Sequence, residues 1–155
     1  MELFDPSNPP PAPEAISGVA ASVCRGVMRF LDNLGYAPLA EVRLNNHRRV
    51  DVMGLNAKGQ IIVCEIKSSV ADFRADSKWP EYLDYCDQFF FAVAPDFPRD
   101  ILPSEEGLII ADSFGADIVR PSVRRKVNGT RRKTITLTFA RTAARRLLWQ
   151  AERSD

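Results

Sequence analysis

A hairpin in the first half of the chain constrains the fold more than any other feature. Residues 49–53 and 61–67 each have the period of a strand, and Gly59 between them favours a three-residue loop with a left-handed glycine. Counting back from that loop pairs Asp51 with Glu65. A slip of one residue would move Glu65 to the opposite face, so the turn and the acidic pair predict the same register.

Strand alternation predicts which side chains share a face. Arg49, Asp51 and Met53 are expected on one face of the first strand, opposite Val50 and Val52. On the second strand, Glu65 and Lys67 share a face. Directly opposed carboxylates repel each other, and ordinary sheets avoid such pairs. The simplest alternative is an exposed ion pair, but the run before Glu65 is apolar, as in a central strand, so its charged end is expected to line a cleft.

Two carboxylates and a lysine are the groups that a magnesium-dependent phosphodiesterase requires. Carboxylate oxygens bind hard cations such as Mg²⁺. A lysine beside that cation can position the attacking water and stabilise negative charge at phosphorus. The predicted catalytic residues are therefore Asp51, Glu65 and Lys67.

Length and composition fit one globular domain. The 155 residues are 45% hydrophobic and 26% charged, which is enough to build a core. Five prolines within residues 1–13 predict a disordered or extended lead-in, and residues 14–155 are then expected to form a single domain. The sequence has no apolar run of membrane-helix length and does not open on a signal peptide. Three scattered cysteines suit reduced core thiols, so we expect a cytoplasmic protein.

Charge is unevenly distributed along the chain. Residues 1–119 carry 10 Lys/Arg and 18 Asp/Glu, whereas residues 120–155 carry 11 and 2. This basic extension predicts either a polyanion partner or an electrostatic clamp onto the acidic body. Together with the acidic site it favours nucleic acid. The candidate nucleic-acid contacts are Arg49, Lys78, Arg124, Arg125, Arg131 and Arg132.

Hydrophobic periodicity predicts the remaining elements. It indicates helices over 14–34 and 76–86, and strands over 40–45, 88–94, 107–111 and 116–119. Residues 123–136 read as a basic hairpin that turns at Asn128-Gly129. Residues 138–150 read as an amphipathic helix capped by Thr138, with a buried face formed by Phe139, Leu147, Leu148 and, as a further candidate, Trp149.

The element order and the acid–acid–lysine motif resemble the PD-(D/E)xK nuclease superfamily, although Val50 stands where its name has proline. Three blocks are similar to the MmcB family of bacterial DNA repair proteins, a resemblance that covers residues 15–150: Asp76-Ser77-Lys78-Trp79-Pro80-Glu81-Tyr82, Tyr85-Cys86-Asp87 and Phe90-Phe91-Ala92-Val93. The resemblance implies an α/β, restriction-endonuclease-like core: helix, three strands, helix, strand, with a central mixed sheet flanked by helices.

The same resemblance implies functional roles. Asp51, Glu65 and Lys67 would be the core triad, with Mg²⁺ or Mn²⁺ as cofactor. A further acid often joins them from the first helix, so Glu14 is a candidate ligand, but Glu41 is preferred because it is expected opposite Asp51.

Two classes of function follow from this reading. One is a metal-dependent endo- or exodeoxyribonuclease that acts on damaged or branched DNA in repair, and RNA as substrate stays open. The other is a non-catalytic DNA-binding or scaffold protein. Trp79 and Tyr82 either contact a base or belong to the core, and the core is favoured. Cutting both strands would favour a homodimer.

Overall fold

Six strands form one mixed sheet in the computed structural model, which describes residues 18–154. They are β1 Tyr36–Arg43, β2 Arg49–Asn56, β3 Ile61–Ile66, β4 Gln88–Val93, β5 Gly107–Ala111 and β6 Ala116–Arg120. The strands pair in chain order. Contacts β3–β4 and β4–β5 are parallel, and the others are antiparallel.

Helices cover both faces of this sheet. Helix α1, Gly18–Asn33, packs its buried side on one face. The other face is covered by α2 (Val70–Ala75), a 3-10 helix (Trp79–Tyr85) and α3 (Gly129–Arg153). A second 3-10 helix spans Arg99–Ile101. The predicted α/β class and the order helix, three strands, helix, strand are confirmed.

The predicted hairpin register is also confirmed. Val52 lies opposite Cys64 in the β2–β3 ladder, which places Asp51 opposite Glu65. Gly59 has the left-handed backbone that the loop requires, with φ of 77°. The Asn56 side-chain oxygen accepts hydrogen bonds from backbone N–H groups within the same turn. Local turn chemistry thus fixes which residues of the two strands meet.

The prediction that side chains alternate strictly between the two faces along β2 is wrong. Val50 packs in the apolar cluster under α3, whereas Val52 packs in the cluster under α1, so the two do not share a face. The neighbouring strand gives the reason. Glu41, which the register places opposite Asp51, has a left-handed φ of 52° and interrupts the regular pairing between Ala40 and Val42.

The region after β3 is built differently from the predicted helix over 76–86. Helix α2 ends with Asp76 as its C-cap, and the 3-10 helix follows, with Pro80 in its first turn. Trp79 stacks on Phe89 with ring centroids 5.8 Å apart and meets Phe91 edge-on at 5.1 Å. Trp79 therefore packs against the core through two phenylalanines of β4, in agreement with the core role that the sequence favoured.

The C-terminal region corrects two further predictions. Asn128 is the N-cap of α3, and its side-chain oxygen accepts hydrogen bonds from the backbone of Thr130 and Arg131. The predicted hairpin over 123–136 and the helix start at Thr138 are therefore wrong. Asn-Gly suits a hairpin turn and a helix cap equally well, so the local signal was ambiguous.

The buried face of α3 was also predicted only in part. Phe139 is buried together with Ile135, as the helical spacing requires. Leu147 and Leu148 are 68% and 56% exposed, so their predicted burial is wrong. The last turns of α3 present these leucines to solvent. The predicted start of the first helix at residue 14, and with it Glu14, lies outside the described residues.

Candidate active site

The carboxyl groups of Asp51 and Glu65 meet at the end of the β2–β3 ladder. One Asp51 oxygen, Oδ2, accepts a hydrogen bond of 2.8 Å from the backbone N–H of Ile66, the residue after Glu65. That bond ties the Asp51 side chain across to β3. Asp51 remains partly exposed, whereas Glu65 is only 5% exposed. The pair therefore has one buried and one solvent-accessible member.

Glu65 is an acidic residue in a buried position. Its Oε2 atom is buried and has no hydrogen-bond partner among residues 18–154. Burial raises the pKa of Glu65 far above its ordinary value, and hydrogen bonding to and repulsion by Asp51 raise it further, while Lys67 opposes the shift. A buried polar atom without a partner destabilises a fold by about 1–3 kcal/mol. Such an arrangement is typical of a functional site.

Lys67 is held beside this pair by a residue that the sequence did not single out. The lysine is 4% exposed, and its Nζ donates a 2.6 Å hydrogen bond to Oδ2 of Asp76. The other oxygen of Asp76 accepts from the backbone N–H of Lys78 at 2.7 Å. Burial tends to raise the pKa of Asp76, but the hydrogen bond from Lys67 and those from the backbone of Lys78 and Trp79 hold it below its ordinary value.

Tyr82 closes the site from the 3-10 helix. Its hydroxyl donates to the backbone carbonyl of Arg49 at 3.0 Å, and its ring belongs to the buried cluster. Burial raises the pKa of Tyr82, and the nearby carboxyl groups of Glu65, Asp51 and Asp76 add to that shift. Tyr82 is thus a core residue, as favoured, that also borders the carboxyl groups.

Glu41 lies next to the site without joining it. Its carboxylate is 4.0 Å from the Arg49 guanidinium, and its backbone carbonyl accepts a 2.5 Å hydrogen bond from Arg146 of α3. Burial raises the pKa of the Cys24 thiol on α1, and repulsion by Asp51 and Glu41 adds to that shift. As a third ligand, Glu41 stays a prediction.

The fit to a metal ion can be judged from this donor set. Among residues 18–154, no three His, Cys, Asp or Glu side chains form a group that could hold a metal alone. Mg²⁺ does not need such a group, because it keeps several waters and binds through one or two carboxylates plus substrate phosphates. Asp51 and Glu65 offer oxygen donors, and one oxygen of Glu65 lacks any partner. The pair therefore fits Mg²⁺ or Mn²⁺.

The basic extension divides into two groups of cations. One group turns inward: Arg125 pairs with Glu106 at 3.1 Å, and Arg132 pairs with Asp87 at 2.7 Å. Arg146 donates to the backbone of β1, and Arg120 donates to the carbonyl of Glu106. These residues clamp the extension onto the acidic body. Arg125 and Arg132, predicted as nucleic-acid contacts, are engaged in ion pairs of the fold.

The second group points outward. Its exposed members near the start of α3 are Arg124, Lys126, Arg131 and Lys133. Arg131 lies over the Tyr85 ring, 4.8 Å from its centroid. A groove of about 470 Å³ runs beside this stacked pair, between the first turns of α3 and Asn45. The Lys78 side chain is also exposed. Its backbone N–H donates to Asp76, the residue that binds the Lys67 ammonium group.

Sequence reasoning therefore located the centre of the site and missed part of its surroundings. Asp51, Glu65 and Lys67 are brought together, as their spacing predicted. Asp76 was missed, although it begins the distinctive block at residues 76–82. Asp76 lies nine residues after Lys67, and helix α2 separates the two. Strand alternation therefore could not predict that their side chains meet.

The fold and this site define an α/β protein with a six-stranded mixed sheet that carries a buried acid–acid–lysine cluster at the end of its central hairpin. The model of the MmcB-like DNA repair protein family matches residues 7–154. The chain thus belongs to the MmcB-like DNA repair family.

One solved structure shows the same architecture. A protein of unknown function from Silicibacter pomeroyi is 48% identical, with a TM-score of 0.81 over 86% of this chain and 90% of that chain. A repair endonuclease from Pyrococcus abyssi is 20% identical, with a TM-score of 0.34 over 55% of this chain and 41% of that chain. The latter score is too low to support a conclusion about either fold or activity. No curated protein matches the chain significantly. No helix within residues 18–154 has the length and apolar character needed to cross a membrane.

Proposed function

We propose that this protein is a metal-dependent DNA nuclease that hydrolyses phosphodiester bonds during DNA repair. The observation that carries the proposal is the buried Glu65 carboxyl group beside Asp51 and Lys67, with one oxygen that lacks a partner in the described part of the chain. A protein that only bound DNA would gain nothing from two carboxylates facing phosphate. An ordinary core would not retain a buried acid of this kind, because it costs stability.

Each residue of the cluster has a defined role in this proposal. Asp51 and Glu65 would hold Mg²⁺ or Mn²⁺, with Glu41 as a candidate third ligand. The metal supplies a positive charge that activates water and stabilises charge at phosphorus. Lys67 orients the attacking water and stabilises the negative charge that develops at the scissile phosphate. Asp51 is kept in place by the N–H of Ile66, so its orientation does not depend on the metal.

The exposed cations supply the surface for DNA. Arg124, Lys126, Arg131 and Lys133 lie near the start of α3, and each phosphate that they neutralise releases counter-ions and strengthens binding. Arg49 and Lys78 lie closer to the cluster and are the candidates for phosphates next to the cleaved bond. Arg125 and Arg132 are removed from this set because they pair with acids of the fold.

A panel of labelled substrates tests the proposal. Branched, nicked, duplex and single-stranded DNA, and the corresponding RNA, would be incubated with Mg²⁺, with Mn²⁺ or with chelator. Cleavage by the wild type should require metal, and Asp51→Asn should abolish it. Asparagine can still accept the bond from Ile66, so the variant should fold. Asp117→Asn, an exposed acid on β6, is the matched control and should cleave normally. Full cleavage by Asp51→Asn would refute Asp51 as a ligand.

The alternative function is a non-catalytic DNA-binding or scaffold protein of a repair pathway. The observation in its favour is the group of exposed cations near the start of α3, Arg124, Lys126, Arg131 and Lys133, which would bind phosphates without the acidic cluster. On this alternative, the substrate panel shows salt-sensitive binding and no product with any metal. Binding would then depend on the exposed cations alone, and Asp51→Asn would leave both binding and cellular repair unchanged.

A further inference from the structure

Asp76 makes the side-chain hydrogen bond to the ammonium group of Lys67. Lys67 enters the site from the end of β3, and its backbone N–H continues the sheet by donating to Ala92 at 3.1 Å. Four rotatable bonds separate that backbone from Nζ, so the free side chain has many accessible rotamers. The backbone alone therefore does not fix the position of the charge. The 2.6 Å bond to Asp76 does.

Asp76 is itself rigidly placed. Its backbone N–H caps α2 by donating to the carbonyl of Phe73, and Oδ1 accepts from the N–H of Lys78. The residue after Lys78, Trp79, packs against Phe89 and Phe91 of β4. The carboxylate is thus fixed from both sides by α2 and the 3-10 helix, which leaves Oδ2 directed at Lys67.

A purely structural role explains this pair poorly. The side chains of Lys67 and Asp76 are 5% and 17% exposed, so both charges are largely removed from water. Desolvation of buried ion pairs commonly offsets their attraction, and apolar residues of similar volume would give equal stability. The pair also lies directly beside the buried Glu65 carboxyl group, which interacts with both members. Retaining two more charges there is reasonable only if the position of the ammonium group matters.

We propose that Asp76 is a positioning residue that aims the Lys67 ammonium at the site of reaction. This rests on the proposed nuclease function and adds to it a fourth essential side chain, one that touches neither metal nor phosphate. The anchor leaves two of the three N–H donors of Lys67 for water and phosphate oxygen. It also prevents the lysine from folding back onto Glu65 and Asp51, where it would compete with a metal ion.

Kinetics of Asp76→Asn and Asp76→Glu test this role. Asparagine keeps the cap and the shape but lacks the charge, so kcat should fall roughly 10- to 100-fold with KM nearly unchanged, as expected when a catalytic group is misplaced. Asp76→Glu restores the charge and should recover part of the loss. Asp84→Asn, an exposed acid of the 3-10 helix, is the matched control. Equal kcat for Asp76→Asn and wild type would overturn the proposal.

A second measurement is independent of cleavage. Amine labelling followed by mass spectrometry compares Lys67 with the exposed Lys58 in the folded protein. Lys67 should be protected in the wild type and in Asp84→Asn, and several-fold more reactive in Asp76→Asn. Equal protection in Asp76→Asn would overturn the positioning role even if the wild type cleaves DNA. A wild type that cleaves nothing would overturn the proposed function, whereas the labelling comparison would still decide whether Asp76 holds Lys67.

Discussion

Arg132 in α3 forms a two-point ion pair with Asp87, the residue immediately before β4. Its two terminal nitrogens donate to the two carboxylate oxygens at 2.7 and 2.8 Å, and Nη1 also donates to the carbonyl of Gly59 in the hairpin loop. Asp87 accepts a further bond from the N–H of Ile61 at 2.7 Å. One ion pair thus joins the basic extension to the loop end of the hairpin whose other end carries Asp51 and Glu65.

Arg132→Ala should therefore reduce stability and leave DNA contact largely intact. It would leave the largely buried Asp87 carboxylate without its guanidinium partner, at an expected cost of about 1–3 kcal/mol. Urea denaturation measures this loss. Lys133→Ala, the exposed neighbour on the same turn, should change stability by less than about 0.5 kcal/mol. Equal midpoints for the two variants would show that the ion pair does not hold the extension in place.

Neutralising the exposed cations near the start of α3 should weaken DNA binding and leave stability largely unchanged. Replacing Arg124, Lys126, Arg131 and Lys133 by glutamine should weaken binding to any DNA sequence and lower the salt slope by about 0.9 for each lost phosphate contact. Fluorescence anisotropy at several salt concentrations gives that slope. A double variant of Arg25 and Arg29, both exposed on α1, controls for loss of charge alone. A salt slope that stays at the wild-type value would exclude this surface as the DNA contact.

Glu65→Gln should stabilise the metal-free protein while abolishing its activity. Burial, and then Asp51, raise the pKa of Glu65, so at neutral pH the folded protein keeps a proton that the unfolded chain releases. The stability of the wild type therefore falls as pH rises above about 4.3, the ordinary glutamate value, until the folded-state pKa is reached. The glutamine amide is neutral throughout and can donate to Asp51. We expect a gain of about 1–3 kcal/mol at pH 8 that shrinks towards pH 5.

Thermal unfolding in the presence of chelator, at several pH values, measures this difference. Glu105→Gln, an exposed acid, should show no pH-dependent gain. A Glu65→Gln variant that is less stable than the wild type at pH 8 would mean that the carboxyl group is well solvated or well paired in the folded protein.

Lys67→Ala separates the nuclease from the scaffold. For the nuclease, removal of one electrostatic stabiliser should lower cleavage by a factor on the order of 10²–10³ while DNA affinity changes little. For the scaffold there is no cleavage to lose, and cells with this variant should repair DNA normally. Lys58→Ala, which removes an exposed lysine of the hairpin loop, is the control for loss of one lysine charge. Equal survival of wild-type and Lys67→Ala cells after DNA damage would argue against catalysis as the role of this protein.

The centre of the site could be predicted because its geometry is set by local interactions. The Gly59 turn fixes the register of β2 and β3, and the period of two residues then brings Asp51 opposite Glu65 without reference to the rest of the molecule. The apolar runs of β3 and β4 also predicted buried central strands, because burial on both faces of a strand requires consecutive apolar residues. The predicted alternation along β2 is wrong at Val50, next to the point where Glu41 of β1 distorts the strand pairing. The sequence of β2 does not reveal that distortion.

By itself, the sequence determined the fold class, the hairpin register and the acid–acid–lysine cluster, because each depends on turn chemistry and strand period over short stretches. Only the tertiary structure decided which acid holds Lys67, which arginines turn inward and where α3 begins. Those outcomes depend on how α2, the 3-10 helix and α3 pack on the sheet. Packing brings together residues far apart in the chain, and it alone determines that the Glu65 side chain is buried and that one of its oxygens has no partner within the residues that the structure describes.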